Sequence, residues 1–365
     1  METLYIFKEF FNKTLGSKNI ESRNDHTYLN PNKRENYLFN SKINGIEEAD
    51  FILLIGSNPR YEATILNARI RKSYLKNKTK IISLNDVGDL TYPYEALNGD
   101  IEIIKNIIED KHEISNLIKE AKKPLIIIGQ STLKTKSSKY IFESIKSFLN
   151  KNNKISKEWN SLNVISENAS TVGSFDLGLY KTEDGSNEVL KNLENHKFEI
   201  VYLLGQDNLK FKKQNEFIIY QGSHGDNGAE MADIILPGAA YTEQNGYFTN
   251  LEGKLQKAYK ASYPPEEAKE DWLIINELAE AMNHRKLFND KDELDSSLMN
   301  RINLYIEKDN LKKISDIKDL NLEKEILIIE NKDYYYSNVI ARASKTMSEC
   351  KSEKINLKST GTEGW

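Results

Sequence analysis

The sequence predicts an α/β protein with doubly wound, Rossmann-like parallel sheets in two lobes. Two observations predict this fold: four short apolar runs recur along the chain, and glycine with small polar residues follows each run. Continuous apolar runs are typical of parallel strands covered on both faces, and such turns lie at the carboxyl edge of the sheet. The runs span residues 51–55, 124–128, 200–204 and 217–220, and the glycines are Gly56, Gly129, Gly205 and Gly222.

The chain opens with a predicted helix over residues 2–15, whose apolar side chains recur at helical spacing and form one stripe. No predicted strand stands before this helix, although a helix of an α/β protein normally follows the strand that it packs beside. The sheet therefore looks one strand short. We expect an unpaired sheet edge or an exposed apolar groove, which a partner covers.

A strand–turn–helix–strand unit follows. The apolar run 51–55 leads through the turn Gly56-Ser57-Asn58-Pro59-Arg60 into a helix, in which apolar side chains recur in steps of three and four as far as about Leu75. The next predicted strand spans residues 80–84. This order is typical of one repeat of a doubly wound sheet.

The chain is predicted to fold in four segments. These are a first Rossmann-like lobe over 1–115, a second over 116–265, a helical packing region over 266–350 and a polar tail over 351–365. The second lobe contains the segment Ala-Asp-Ile-Ile-Leu-Pro-Gly-Ala-Ala-Tyr-Thr-Glu. In the helical region, apolar residues from Leu298 to Leu311 stand at helical spacing, and residues 326–329 form one more strand-like run. Residues 151–198 are polar and carry no assigned element.

Composition and charge exclude several classes of protein. Lys and Arg number 51 and Asp and Glu number 55, and a net charge of −4 argues against a nucleic-acid-binding protein, which needs a large basic surface. No apolar run approaches the roughly 18 residues of a membrane-spanning helix. The single cysteine, Cys350, excludes an intramolecular disulfide, a multi-cysteine zinc site and a self-contained iron–sulfur cluster. Abundant lysine, asparagine and isoleucine are typical of an A+T-rich genome, such as that of an organelle or an endosymbiont.

The turn after the first strand suggests a phosphate site. Backbone N–H groups at a strand–glycine–helix turn can cradle a phosphate, and Arg60 could hold one through two hydrogen bonds. A simpler interpretation is that Gly56 permits a tight turn while Ser57 or Asn58 caps the helix. No complete Gly-x-Gly-x-x-Gly or Walker A pattern is present, which favours the simpler interpretation.

Two further residues are candidates for chemistry. His224 lies in a glycine turn near Asp226 and Glu230 and could act as a base, although a hydrogen-bonding surface histidine fits the sequence better. Cys350 lies in a helical stretch, after residues 341–347, so a packed or tolerated thiol is favoured over a nucleophile. The five histidines are His26, His112, His196, His224 and His284, and no two of them stand at metal-ligand spacing.

Residues 221–256 form the longest recognisable block, and they closely resemble the 75 kDa subunit family of respiratory complex I. The pattern Ala-Asp-x-Ile-Leu-Pro-Gly-Ala-Ala-Tyr-Thr-Glu within it is shared more loosely with the wider molybdopterin oxidoreductase superfamily. Three further blocks resemble the complex I branch specifically, and the blocks keep their order along most of residues 1–350. They are residues 36–40 with 45–60, residues 67–72, and residues 340–347 with Cys350.

The resemblance implies a molybdopterin oxidoreductase-like fold that has lost its cofactor and serves as a structural, non-catalytic part of the complex I peripheral arm. It implies no catalytic residue, no metal ligand and no cofactor in this chain. On this interpretation Gly56, Ser57, Asn58, Arg60 and Gly222 keep the geometry of an old cofactor site without binding one.

The resemblance also predicts the partners of the chain. The family's iron–sulfur clusters belong to its N-terminal half, so this chain is expected to be the C-terminal half of a split subunit. The iron–sulfur half is then a separate polypeptide, and other peripheral-arm subunits are further partners. The implied location is the matrix side of the mitochondrial inner membrane, or the cytoplasmic side of a bacterial plasma membrane.

Two alternatives stay open at this point. One is an active molybdopterin-dependent oxidoreductase subunit, such as a formate dehydrogenase fragment, in which Ser or Asp rather than Cys would complete a molybdenum or tungsten site. The other is a free nucleotide-binding Rossmann enzyme. Molybdenum or tungsten in the purified protein would favour the first, and tight binding of a nucleotide would favour the second.

Overall fold

The computed structural model describes residues 1–283, 285–307, 320, 322–330 and 333–359. His284, Leu311 and residues 360–365 of the predicted tail lie outside the described residues. The strands are β1 Phe51–Ile55, β2 Lys80–Ser83, β3 Glu95–Ala96, β4 Pro124–Ile128, β5 Leu162–Val164, β6 Ile200–Leu204, β7 Phe217–Gly222, β8 Ile234–Pro237, β9 Gly246–Thr249 and β10 Leu255–Ala258. The helices are α1 Glu2–Glu9, α2 Pro59–Glu62, α3 Thr64–Asn77, α4 Glu102–Ile108, α5 Glu113–Glu120, α6 Gln130–Leu133, α7 Ser138–Lys151, α8 Thr171–Leu177, α9 Glu188–Glu194, α10 Asn227–Met231, α11 Asp271–Asn283, α12 Lys291–Glu307, α13 Val339–Ala343 and α14 Lys345–Ser359.

The larger sheet has five parallel strands in the order β3-β2-β1-β4-β5. From β1 the chain runs outward to β2 and β3, then returns to the other side of β1 to form β4 and β5. The strand order thus reverses between β1 and β4, which is the switch point of a doubly wound sheet. The predicted α/β class with parallel sheets is confirmed.

Helices cover both faces of this sheet because its side chains alternate between them. Ile52 of β1 points to the face where Ile70 of α3 packs, and Leu53 points to the face where Phe142 of α7 packs. Every residue of β1 and β4 is buried. Burial of each such side chain contributes roughly 1.5–3 kcal/mol relative to exposure, so these two strands form the stable centre of the fold.

The larger sheet crosses the predicted boundary between residues 115 and 116. Strand β4, from the second predicted lobe, pairs with β1 of the first, and β5 adds a further strand. The stretch 151–198, which carried no assigned element, supplies β5, α8 and α9. Its core residues Phe175 and Leu177 are fully buried. These three elements were hard to predict because this stretch has only a few apolar residues among many polar ones.

The smaller sheet has three parallel strands in the order β6-β7-β8. Helix α1 contacts one of its faces through Phe7, which packs against Tyr202, and α9 contacts the other face through Leu193. The expectation that run 200–204 is buried on both faces is wrong for part of the strand, because β6 is at the edge and Ile200 is 66% exposed. Strands β9 and β10 form an antiparallel hairpin.

The described part of the C-terminal region contains the helices α11, α12, α13 and α14. Helices α11 and α12 pack against α1 through buried residues that include Ile275 and Leu298. A π-helical segment, Phe10–Thr14, continues α1. Residues 326–329 do not form the predicted strand, since Ile326 makes only one isolated bridge, to Asp100. Much of the predicted polar tail continues helix α14 as far as Ser359.

Candidate functional site

The first candidate site is the turn that follows β1. Gly56 has a φ of +61°, and a Cβ added to it would lie 2.0 Å from the hydroxyl oxygen of Thr132. A Cβ added to Gly129, which follows β4, would lie 2.2 Å from the carbonyl oxygen of Gly56. Both glycines are therefore required because the two turns at the switch point pack directly against each other. This is the structural role that the simpler interpretation assigned to Gly56. The expected capping is wrong, because the side chains of Ser57 and Asn58 donate to Glu62 and Val87 and make no capping bond to helix α2.

A carboxylate from the chain itself occupies the donor groups of this turn. The Ser57 hydroxyl donates to one carboxylate oxygen of Glu62 at 3.0 Å, and the backbone N–H of Asn58 donates to the other at 3.0 Å. These are donors of the kind that a phosphate uses at a helix N-terminus. A bound phosphate would have to displace Glu62 or approach its negative charge.

The other polar side chains of the turn also have protein partners. Arg60 donates to the backbone and the side-chain carboxylate of Asp89, each at 2.6 Å, and the Asn58 side-chain amide donates to the carbonyl of Val87. The N–H of Thr91 and then the guanidinium of Arg60 hold the pKa of Asp89 below its usual value. Arg60 and Asn58 thus tie the turn to the loop after β2.

A cavity of about 100 Å³ lies beside this turn, and its charge is acidic. Glu62, Glu167 and Glu330 line it together with Lys134. Burial lowers the pKa of Lys134, but the carboxylates of Asp25, Glu167 and Glu330 outweigh that effect and hold the pKa above its usual value. Since one lysine faces several carboxylates, the cavity repels rather than attracts a phosphate.

The second candidate site is a cleft of about 430 Å³ between α1, the smaller sheet, the β9–β10 hairpin and α11. Gly205 and Gly222 lie on its wall, at the ends of β6 and β7. A Cβ on Gly222 would lie 2.3 Å from the hydroxyl of Tyr220, which donates to the carbonyl of His224. Gly222 therefore leaves room for the tyrosine that braces its own turn.

The charged side chains that line this cleft are acidic, and they are Glu2, Glu21, Asp207 and Asp271. Asp207 and Asp226 both pair with Arg342, at 2.8 and 2.5 Å, and burial raises the pKa of Asp207. Deeper in the cleft, the amides of Gln221 and Gln244 donate to the two carboxylate oxygens of Asp271 at 2.8 and 2.9 Å. Burial raises the pKa of Asp271, and these amides oppose only part of that effect.

The other predicted candidates do not form a catalytic group. The His224 ring lies 3.0 Å from the Ser223 hydroxyl at an exposed position, while Asp226, the acid expected near it, pairs with Arg342. Cys350 is exposed on α14. Within the described ranges, no group of three His, Cys, Asp or Glu side chains could hold a metal ion.

Sequence reasoning missed two residues that shape these sites. Glu62 lies within five positions of the turn that it caps, so a capping search over the first helical turn would have found it. Arg342 belongs to the recognised block 340–347, but its partners Asp207 and Asp226 are more than one hundred residues away. No spacing in the sequence indicates that contact.

Residues 1–281 match the family model described as Molybdopterin oxidoreductase. The chain belongs to the molybdopterin oxidoreductase family. Residues 306–350 match a second model, which describes the C-terminal region of the G subunit of NADH-ubiquinone oxidoreductase. The predicted resemblance to the complex I branch of the family is thereby confirmed.

Curated relatives point to the same branch. The chain is 34% identical to the NADH-ubiquinone oxidoreductase 75 kDa subunit of Reclinomonas americana over 96% of this chain and 53% of the relative. It is 36% identical to the G subunit of the NADH-quinone oxidoreductase of Rickettsia bellii over 99% and 52%. It is 36% identical to the mitochondrial NADH-ubiquinone oxidoreductase 78 kDa subunit of Candida albicans over 96% and 49%. The chain thus spans about half the length of these relatives.

The family name implies a molybdopterin cofactor, and the residues at the two candidate sites do not fit its phosphates. In this family member the donors of Ser57 and Asn58 already bind Glu62, and carboxylates crowd both the cavity and the cleft. An anionic group would lie close to carboxylates at each place.

Among the described residues, no helix is long and apolar enough to cross a bilayer.

Proposed function

We propose that the chain is a non-catalytic, structural part of the peripheral arm of an NADH:quinone oxidoreductase. The observation that carries this proposal is that relatives named as the 75 kDa, 78 kDa or G subunit of this enzyme match 96% or more of the chain. The match of residues 306–350 to the model of the G subunit's C-terminal region supports the same assignment. Electron transfer from NADH to quinone is then the activity of the assembly to which the chain contributes.

The proposed role includes no cofactor in this chain. Two observations support this part of the proposal. The Glu62 carboxylate already accepts the hydrogen bonds of the β1 turn, and acidic side chains line the cleft. A site that binds an anionic cofactor needs free hydrogen-bond donors and positive charge at these positions. Here the same geometry stabilises the contact between the turns that follow β1 and β4.

The proposed partners are the iron–sulfur region of the subunit, carried by a separate polypeptide, and other subunits of the peripheral arm. Support comes from the relatives, which are about twice as long as the matched region. The proposed location is the matrix side of the mitochondrial inner membrane, or the cytoplasmic side of a bacterial plasma membrane. The mitochondrial alternative is supported by relatives whose names include that compartment.

The test is to purify the chain from its native source through an affinity tag and to run the product on a native gel. We expect the chain in a band that oxidises NADH and reduces quinone, with iron present and with molybdenum and tungsten absent at stoichiometric levels. Absence of the chain from that band would overturn the proposed membership. Stoichiometric molybdenum or tungsten bound to the chain would instead support an active oxidoreductase, such as a formate dehydrogenase fragment.

A further inference from the structure

The smaller sheet has an open edge at β6. The N–H of Gly205 donates to Gln221 and the N–H of Phe217 donates to Glu199, each at 2.8 Å, so the odd-numbered residues of this strand bond to β7. In a parallel ladder the alternate residues face the opposite way. Residues 200, 202 and 204 therefore direct their N–H and C=O groups away from β7, and no strand of the described chain pairs with them.

An apolar groove of about 170 Å³ runs along this edge. Tyr202 of β6 points to the side of the sheet that α1 covers, and Leu203 points to the side that α9 covers. Phe7 of α1 lines one wall of the groove, and Leu190 and Leu193 of α9 line the other. The groove thus forms a slot between the α1 and α9 layers, and residues of the segment 17–24, among them Glu21 and Arg23, line the rest of it.

The shape and chemistry of the slot fit one more β-strand. A row of backbone donors and acceptors forms its floor, and an extended segment can satisfy these groups whereas a helix cannot. The walls formed by α1 and α9 are apolar, so the strand must carry apolar side chains toward both of these helices, as a buried parallel strand does. The docked strand would cover Ile200, which is 66% exposed, and the backbone groups of β6 that face away from β7.

We propose that an apolar β-strand from the part of the 75 kDa subunit relatives that this chain does not match docks against β6 and completes the sheet. This inference rests on the proposed function, because the strand comes from the remaining half of the relatives' length. A second copy of the chain is the alternative occupant, and the test below distinguishes it from this strand.

The test uses the purified NADH-oxidising assembly that contains this chain. A photo-crosslinking residue, p-benzoylphenylalanine, replaces Ile200, and a matched variant carries it at Ile65, an isoleucine of α3 with a similar exposure of 69%. We expect Ile200→p-benzoylphenylalanine to crosslink to an apolar segment of the iron–sulfur region and the Ile65 variant not to reach that segment. Amide exchange at residues 200, 202 and 204 should be roughly 100-fold or more slower than in an unstructured peptide.

The outcomes separate this inference from the proposed function. A crosslink to a second copy or to a different subunit would overturn the assigned strand. Rapid exchange at residues 200, 202 and 204 without a crosslink, in an assembly that contains the chain, would overturn docking at this edge and leave the proposed function intact. Absence of the chain from the NADH-oxidising assembly would overturn the proposed function itself.

Discussion

At the scale of single residues, Glu62 determines what the β1 turn can bind. Its carboxylate lies where a phosphate would accept hydrogen bonds from a helix N-terminus, and it satisfies both the Ser57 hydroxyl and the Asn58 N–H. A neutral side chain that cannot accept hydrogen bonds would leave these donors without that acceptor. The turn geometry would persist because Gly56 and Gly129 hold it independently.

We therefore predict that Glu62→Ala opens an anion site. Loss of this cap should lower the free energy of unfolding by about 1 kcal/mol. Inorganic phosphate should restore part of that loss in the variant and should have no comparable effect on the wild-type protein. Thermal unfolding at low protein concentration, with phosphate or chloride at equal ionic strength, measures this difference. Glu167→Ala, in the same cavity, is the control. Equal stabilisation of the wild-type protein by phosphate would contradict the closed site.

Asp271 gives a second prediction at this scale, on pH. Burial raises its pKa in the folded state above the ordinary value of 3.8, so the folded protein holds the proton more tightly than the unfolded chain does. The stabilisation from this group is therefore fully present below pH 3.8 and is lost as the pH rises through the raised pKa. Asp271→Asn should remove this dependence, since an amide does not titrate.

The measurement is the free energy of unfolding of the wild-type protein and of Asp271→Asn over a pH series. The wild-type value should fall relative to the variant as the pH rises, because only the wild-type protein must ionise a buried group. Asp89→Asn is a suitable control, since that carboxyl is exposed and its pKa is shifted downward. Parallel pH curves for the wild-type protein and Asp271→Asn would show that the Asp271 carboxylate is adequately solvated by its two glutamine partners.

At the scale of elements, the contact between the turns after β1 and β4 determines the switch point of the larger sheet. Gly56 combines a positive φ with close approach to Thr132, whereas Gly16 has a similar φ of +63° and no neighbouring atom within 4 Å of an added Cβ. The two glycines therefore separate the effect of backbone conformation from the effect of packing between turns.

We predict that Gly56→Ala destabilises the protein more than Gly16→Ala does. Both variants place alanine in the left-handed region, which costs about 1–2 kcal/mol. Only Gly56→Ala also forces Thr132 aside, and overpacking of this kind adds about 1–3 kcal/mol. Denaturant unfolding of the two variants measures the difference. Equal losses of stability would mean that the turns separate easily and that their contact does not fix the switch point.

The predictability of each element follows from how local its signal is. Strands β1 and β4 were predicted because each is an unbroken apolar run, which burial on both faces requires. Strand β3 has two residues and β5 has three, which is too short for a periodic signal. The run 326–329 looked like a strand by composition, but Leu327 alone is buried and the neighbouring Ile328 is 77% exposed. Whether each of these segments forms a strand depends on its pairing partner, and a local sequence pattern contains no information about that partner.

At the scale of the whole molecule, the two sheets differ in how much apolar surface their strands expose. Besides Ile200 on β6, the exposed apolar side chains include Phe217 on β7 and Ile234 and Ile235 on β8. The larger sheet, by contrast, buries its central strands completely. Exposed apolar strands at an open edge are sites of association, so the isolated chain should self-associate through this sheet unless a partner covers it.

The last prediction uses this edge in two assays, in which one substitution has opposite effects. Ile200→Lys places a charge on the open strand, and an edge lysine discourages pairing with other strands. In the isolated chain the variant should therefore raise the soluble fraction, by roughly two-fold or more. In the assembly the same lysine would have to enter an apolar slot, so incorporation should fall by about ten-fold, because burying an unpaired charge is costly. Ile65→Lys, on a different surface, should change neither quantity to that extent.

The opposite changes in solubility and incorporation exclude a trivial explanation, because a variant that simply misfolds would lower both solubility and incorporation. A variant on a surface without a partner would raise solubility and leave incorporation unchanged.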